Sequence, residues 1–147
     1  MARYLIDTNL LVRGLEVDHP LKTVSQEALF RLSIQQEHLG IVPQTLYELW
    51  NVCTRPLERN GLGLTGQETL ETVRELEQNF VLYLDVPELY QQWKELVERY
   101  QVRGVKVHDT RLVAACMVHG LTHLLTFNTR DFKRFQEITV IHPEELK

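Results

Sequence analysis

Short apolar runs alternate with longer segments of helical periodicity along the whole chain, and this alternation constrains the possible folds more than any other feature. The strand-like runs are predicted at 4–6, 39–42, 81–84, 123–127 and 138–141. Strands that alternate with helices of ten or more residues indicate βαβ units and a mostly parallel sheet. Because the crossovers in such units are right-handed, helices should cover both faces of the sheet. We therefore predict an α/β fold in which the carboxyl ends of the strands share one cleft.

Local signals place the helices between these strands. Thr65 followed by Glu68 is a capping-box pattern at a helix start, and Gly120 is a usual residue just past a helix end. Helices are predicted over 9–15, from 20 to about 34, from 43 to near 56, from 66 towards 80, from 87 to 100 and over 108–119, with a short helical turn over 129–135.

The size and cysteine content bound the class of protein. The chain has 147 residues, of which 44% are hydrophobic, enough for the core of a single domain over 1–147. No apolar run reaches the ~18 residues of a membrane span, and the first apolar stretch is too short for a signal peptide. Cys53 and Cys116 lack the spacings of a disulfide framework, so we expect reduced thiols in a cytoplasmic protein.

The net charge of −4 taken alone argues against a general nucleic-acid binder, because phosphate contacts need Lys and Arg. The total can mislead when acids converge on a metal site. With four of the 20 acids set aside, the remaining 16 balance the 16 Lys and Arg residues. The sign of the net charge therefore does not decide the partner.

Asp7 directly follows the apolar run of Tyr4, Leu5 and Ile6. In open α/β sheets, ligands bind outside the carboxyl ends of the strands. A carboxylate at that position is placed to meet a cation or a substrate.

Three more acids follow a strand or begin a helix next to one. Glu48 lies early in the helix after the second strand, Asp109 stands at the start of an apolar helix, and Asp131 follows the fourth strand. An acid among apolar neighbours is costly unless it is paired or binds metal. Because the predicted topology brings all four acids to one edge of the sheet, they are candidates for one site.

Each acid also has a simpler interpretation. Asp7 and Asp109 could cap the helices that they precede, since Asp is a common N-cap residue. Glu48 could point to solvent, and Asp131 could pair with Arg130 or Arg134 nearby in the chain.

The donor types indicate which ion such a site would take. Carboxylates without clustered His or Cys favour hard cations such as Mg²⁺ or Mn²⁺ over zinc. The site could hold one or two ions. Carboxylates that lie close together repel one another, so some pKa values should rise and metal binding should be coupled to deprotonation.

Four segments, in this order, resemble the PIN domain family, and the order and spacing are most similar to the small bacterial proteins of the VapC toxin type. The segments are Ile6-Asp7-Thr8-Asn9, Leu46-Tyr47-Glu48-Leu49-Trp50, His108-Asp109-Thr110-Arg111-Leu112-Val113-Ala114 and Thr126-Phe127-Asn128-Thr129-Arg130-Asp131-Phe132. The resemblance covers essentially the whole chain.

The resemblance implies a three-layer α/β/α sandwich and a ribonuclease that depends on Mg²⁺ or Mn²⁺. Asp7, Glu48 and Asp109 would be the core catalytic and metal-binding acids. At the fourth position many family members carry an acid where this chain has Asn128, and the acid available here is Asp131. Groups that orient the carboxylates through hydrogen bonds would be Thr8, Asn9, Thr126 and Asn128.

The resemblance also implies partners: an RNA substrate, a second copy in a homodimer, and a small antitoxin protein of a type II toxin–antitoxin pair. Arg111 and Arg130 flank the acids and are predicted to contact RNA phosphates. An equal alternative is that both arginines pair with carboxylates.

Three rival functions remain open at this point. One is an RNA-processing PIN nuclease without an antitoxin, and another is a non-catalytic PIN-like module that binds RNA or protein. A phosphatase of the haloacid-dehalogenase type also begins with an Asp after its first strand, but it needs a second Asp two residues later, where this chain has Asn9.

Overall fold

Five parallel strands form one sheet in the order β3-β2-β1-β4-β5 in the computed structural model, which describes residues 2–146. The ends of the predicted domain, Met1 and Lys147, lie outside the described residues. The strands are β1 (Arg3–Ile6), β2 (His38–Ile41), β3 (Val81–Leu82), β4 (His123–Leu125) and β5 (Thr139–Ile141). All four neighbouring pairs are parallel, which confirms the predicted sheet.

Helices connect the first four strands. They are α1 (Thr8–Leu15), α2 (Leu21–Ile34), α3 (Pro43–Thr54), α4 (Gly66–Asn79), α5 (Glu88–Tyr100) and α6 (Lys106–His119). Short 3₁₀ helices cover Leu57–Arg59, Thr129–Asp131 and Pro143–Glu145. Among residues 2–146, no helix is both long and apolar enough to cross a membrane.

The central strand β1 sends its side chains into two separate cores. Leu5 packs on one side of the sheet against α5 and α6, through residues such as Leu96 and Val113. Tyr4 and Ile6 pack on the other side against α1, α2 and α3. Successive side chains of a strand point to opposite faces, so burial on both faces requires a helical layer on each. The fold is therefore a three-layer α/β/α sandwich, as predicted.

The strand order creates a crevice at the centre of the sheet. From β1 the chain winds outward through β2 and β3 on one side, and β4 and β5 lie on the other. The order reverses between β1 and β4, and ligands of open α/β sheets bind at such a point, beyond the carboxyl ends of the strands. The segments after β1 and β4 begin at Asp7 and Thr126, so both face this crevice.

Some predicted boundaries were wrong by a few residues. Strand β4 ends at Leu125 instead of Phe127, because the Phe127 amide leaves the ladder and donates to Asn9 Oδ1 at 3.2 Å. Strand β3 ends at Leu82 instead of Leu84, and helix α6 begins two residues before His108.

The predicted helix ends at Thr65 and Gly120 are confirmed. Thr65 and Glu68 form both hydrogen bonds of a capping box, and Gly120 adopts a left-handed conformation with φ 67°.

Candidate active site

A groove of about 820 Å³ opens at the carboxyl edge of the sheet. Three of the four predicted acids line it: Asp7, Glu48 and Asp109. Thr8, Asn9 and Asn128 line it as well. Its walls come from α1, α3, the first turns of α6 and the loop after β4, so the groove lies where the strand order reverses.

Asp7 is buried at the floor of the groove and caps helix α1. Its Oδ1 accepts a hydrogen bond from the Thr8 amide at 2.7 Å, so the capping role proposed from the sequence is confirmed. Its Oδ2 accepts from Thr126 Oγ1 at 2.7 Å. Burial raises the pKa of Asp7, these hydrogen bonds oppose the rise, and the nearby charge of Asp109 adds to it. No Lys, Arg or His within residues 2–146 forms an ion pair with Asp7, so its charge has no compensating cation.

Asn9 and Thr126 tie the segment after β1 to the segment after β4. Asn9 Nδ2 donates to Thr126 Oγ1 at 3.2 Å and lies 3.4 Å from Asp7 Oδ2. Thr126 is fully buried, and its Oγ1 also accepts from the Asn128 amide at 3.0 Å. These contacts fix the orientation of the Asp7 carboxylate relative to both loops.

Glu48 faces the groove from one turn into α3. Its side chain is exposed, as the simpler interpretation expected, but the exposed surface lines the groove. Thr8 Oγ1 lies 3.4 Å from Glu48 Oε1. Partial burial raises the pKa of Glu48, the charge of Asp7 raises it further, and hydrogen bonds from Thr8 and Gln44 oppose the rise.

Asp109 lies in the first turn of α6 and does not cap it. The N-cap is Val105, which makes no side-chain hydrogen bond, so the prediction that Asp109 could be the N-cap was wrong. The helix starts earlier than predicted, and Asp109 is therefore free to face the groove. Burial raises the pKa of Asp109, and so does the charge of Asp131, whereas Lys106, His108 and Arg134 lower it.

The two candidates for the fourth position of the site, Asn128 and Asp131, lie in different places. Asn128 lines the groove, whereas Asp131 lines a smaller neighbouring cavity together with Asn128 and Arg130. Asp131 Oδ1 forms an ion pair with Lys106 Nζ at 2.5 Å. Its cationic partner thus comes from α6, and local pairing with Arg130 or Arg134 is not seen within residues 2–146.

Arg111 lies beside the groove with both ends of its guanidinium engaged. Nη2 pairs with Asp85 Oδ2 at 2.7 Å, and Nη1 donates to Gln44 Oε1 at 3.1 Å. Arg130 is exposed and forms no ion pair within the described part of the chain. The predicted contacts of both arginines with RNA remain predictions.

Sequence reasoning missed Gln44 as a site residue. Gln44 is buried, and its Nε2 donates to the His108 carbonyl at 2.9 Å, immediately before Asp109. Gln44 belongs to α3 and His108 to α6, so this hydrogen bond links the two helices that carry Glu48 and Asp109. The position of Gln44 four residues before Glu48, on the same helix face, was the available signal.

The donor set of the groove fits a hard divalent cation. Carboxylate oxygens of Asp7, Glu48 and Asp109 and the amide oxygen of Asn128 are donors that Mg²⁺ and Mn²⁺ accept. Each of the three acids has a raised pKa, and neighbouring carboxylate charge is one cause every time. No group of three or more His, Cys, Asp or Glu side chains within residues 2–146 is close enough to form a preassembled metal cluster.

Solved structures with the same fold are similar over almost the whole chain. A VapBC2 complex from Rickettsia felis, bound to a DNA fragment from its promoter, has a TM-score of 0.69 at 16% identity and covers 95% of this chain and 97% of its own. DNA-bound VapBC from Salmonella typhimurium has a TM-score of 0.67 at 19% identity, covering 97% and 99%.

VapC20 from Mycobacterium tuberculosis, described as a toxin that cleaves the sarcin–ricin loop, has a TM-score of 0.62 at 14% identity and covers 92% and 98%. At these identities the likeness concerns the fold. A comparison with characterised protein sequences found no match.

The PIN domain family model matches residues 4–138. This range contains β2, β3, β4 and all of β1 except Arg3, ends just before β5, and includes every residue that lines the groove. The chain belongs to the PIN domain family.

Proposed function

We propose that the protein is a metal-dependent endoribonuclease that cleaves RNA phosphodiester bonds. The observation that carries this proposal is the convergence of Asp7, Glu48 and Asp109 on one groove without a cation paired to any of them within residues 2–146. Uncompensated carboxylates raise one another's pKa, and a divalent cation would offset that repulsion.

The comparisons support a toxin of a type II toxin–antitoxin pair as the biological role. The similar structures include VapBC complexes and a VapC toxin described as cleaving the sarcin–ricin loop. We propose by this likeness a small antitoxin as the partner, a homodimer as the assembly and the cytoplasm as the compartment.

The residues that would hold Mg²⁺ or Mn²⁺ are Asp7, Glu48 and Asp109, with Asn128 or Asp131 at the fourth position. When bound, such an ion supplies Lewis-acid chemistry, because it activates a water and offsets charge on the phosphate. Whether one ion or two bind depends on the fourth position.

The surrounding side chains hold the acids in place for this chemistry. A carboxylate offers about four acceptor positions. The Thr8 amide occupies one acceptor position on Asp7 Oδ1, whereas the Thr126 hydroxyl and the Asn9 side-chain amide both donate to Oδ2. Oδ1 therefore keeps acceptor capacity for the groove. Gln44 sets the spacing of α3 and α6 at the level of Glu48 and Asp109.

The test is cleavage of single-stranded RNA with Mg²⁺ or Mn²⁺ added or removed. We expect cleavage with either ion and none in excess EDTA. Wild-type activity that survives excess EDTA would overturn the proposal of a metal-dependent enzyme. Asp7→Asn is the matched variant, because Asn still caps a helix but lacks the charge.

The toxin role is tested separately in cells. Expression of the wild-type chain should arrest growth, and Asp7→Asn should relieve the arrest. Growth unaffected by an active enzyme would favour an RNA-processing nuclease without an antitoxin. If the protein binds RNA but neither binds Mn²⁺ nor cleaves the RNA, the alternative of a non-catalytic PIN-like module would be favoured.

A further inference from the structure

The groove extends well beyond the acids, along one face of α3. Glu48 and Arg55 are seven residues apart, which is close to two helical turns, so both face the groove at different depths. Asn51 and Val52 line the groove between them. At 1.5 Å per residue, Glu48 and Arg55 are separated by about 10 Å along the helix axis.

Arg55 lies at this far end without an anionic partner. Its Nη2 makes a hydrogen bond of 3.3 Å to the Asn60 carbonyl, and its Nε is buried with no hydrogen-bond partner. No carboxylate within residues 2–146 pairs with it. Arg13, which also lines the groove, differs because it pairs with Glu16 at 2.6 Å. Of the two arginines that line the groove, Arg55 is therefore the one whose guanidinium has no carboxylate partner within residues 2–146, and its two Nη groups are the donors that a ligand in the groove could reach.

The loop after α3 is folded tightly around Arg55. The Gly63 amide donates to the Arg55 carbonyl at 2.9 Å, and the Leu62 amide donates to the Val52 carbonyl at 2.9 Å. A Cβ atom at Gly61 would lie 1.9 Å from the Arg55 carbonyl oxygen, so only glycine allows this approach. These contacts fix the backbone of Arg55, and the hydrogen bond from Nη2 to the Asn60 carbonyl holds its side chain against the same loop.

We propose that Arg55 binds a phosphate of the RNA strand a few nucleotides from the phosphodiester that the acids engage. This proposal rests on the proposed ribonuclease function. A guanidinium with free donors suits a phosphate, which it can bind through two hydrogen bonds. The alternative occupant, an acidic peptide, would not need Arg55 and the acids on the same helix face.

The experiment is the salt dependence of binding to a mixed-sequence, single-stranded RNA pool, measured by fluorescence anisotropy without divalent cations. Loss of one phosphate contact on a single strand should reduce the slope of log affinity against log salt by about 0.7. We expect this reduction for Arg55→Met. Arg31→Met is the matched control, since it removes the same charge from an exposed residue outside the groove, and its slope should equal that of wild type.

Arg55→Lys separates phosphate binding from a purely structural role of Arg55. A lysine keeps the charge but not the two-pronged geometry, so it should restore the salt slope while the RNA affinity stays below that of wild type. If Arg55→Met does not fold, Arg55→Gln removes the same charge and should show the same reduction of the slope, and a wild-type slope in Arg55→Gln would overturn the proposal. A wild-type slope in Arg55→Met, or an equal loss in Arg31→Met, would overturn the proposal.

These measurements distinguish failure of the Arg55 proposal from failure of the ribonuclease proposal. If wild type cleaves RNA and Arg55→Met keeps the wild-type slope, only the Arg55 proposal fails. If RNA binds with the predicted slopes but is not cleaved with Mg²⁺ or Mn²⁺, only the ribonuclease proposal fails. If Arg55→Met alters the affinity for an acidic protein partner but not the RNA slope, the groove end binds peptide and the Arg55 proposal is wrong.

Discussion

Two groups of acids in this protein differ in their partners, and Glu16, which lines the groove but pairs with Arg13 and His19, belongs to neither. Asp131, Asp85 and Glu137 each pair with a cation, which is Lys106, Arg111 and Arg99 respectively. Asp7, Glu48 and Asp109 have no such partner within residues 2–146, and they share one groove. We refer to these as the paired acids and the groove acids.

Burial alone does not explain the difference between the two sets. Burial raises the pKa of Glu137, but hydrogen bonds from Tyr100 and Arg99 outweigh it, and the net pKa is lowered. Burial also raises the pKa of Asp7, and there the neighbouring carboxylates add to the rise. The paired acids thus have cationic partners, whereas the groove acids repel one another. Such repulsion is expected of acids whose partner is a ligand.

The largest effect should come from removing a groove acid. Asp7→Asn and Asp109→Asn should each reduce RNA cleavage by more than about 100-fold, because several kcal/mol of transition-state stabilisation are lost with the metal. The measurement is kcat/KM at saturating Mn²⁺.

Glu137→Gln is the control from the paired acids, since it removes one half-buried charge outside the groove. Its activity should stay near that of wild type once folding is verified by circular dichroism. An equal loss in this variant would erase the distinction between the two sets.

Thr126→Val should reduce cleavage by about 10–100-fold, the usual effect of removing a group that orients a metal ligand. Valine keeps the shape of the side chain but not the hydroxyl that binds Asp7 and accepts from the Asn128 amide. The loss should appear in kcat and in the Mn²⁺ dissociation constant together. A changed thermal stability with unchanged Mn²⁺ affinity would assign Thr126 a structural role only.

Asp131→Asn should have a smaller effect, less than about 10-fold, because Asp131 is paired and lines the neighbouring cavity. The comparison variant is Asn128→Ala, whose side chain lies in the groove. If Asp131→Asn proves as damaging as Asp109→Asn, Asp131 belongs with the groove acids and the fourth position is settled in its favour.

The smallest predicted effect is on stability without metal. Asp109 makes no hydrogen bond that an Asn would lose within the described residues, and its pKa is raised above that of the unfolded chain. A raised carboxyl pKa means that stability falls as the pH rises towards neutral, where the folded state must hold the charge. In EDTA at neutral pH, Asp109→Asn should therefore raise the Tm by a few °C.

The pH dependence provides the control for this prediction. Below about pH 3 the wild-type carboxyl is mostly protonated in both states, and the difference in Tm should shrink towards zero. A difference that persists at acid pH would indicate a packing change instead of relief of charge.

The sequence predicted most of the fold because its signals were local. The alternation of strands and helices, the Thr65–Glu68 capping box and the Gly120 helix end depend on neighbours a few residues apart. The boundary errors occurred where long-range contacts override local pattern. Strand β4 ends early because the Phe127 amide binds Asn9, which is 118 residues away in sequence.

The sequence predicted which acids belong to the candidate site, but it did not predict which of them form ion pairs. Asp109 and Asp131 look alike in the sequence, since each lies near a strand or helix end with arginine close by. Only the fold shows that Asp131 pairs with Lys106, 25 residues away, while Asp109 faces the groove. Arg111 shows the same limit, because its partners Asp85 and Gln44 lie 26 and 67 residues away.

The most direct measurement is a calorimetric titration of the metal-free protein with Mn²⁺. We expect Mn²⁺ to bind wild type and Glu137→Gln, and the dissociation constants of Asp7→Asn and Asp109→Asn to be at least about tenfold larger. Absence of binding to the wild type, or equal binding by all four proteins, would contradict the claim that the groove acids form a metal site.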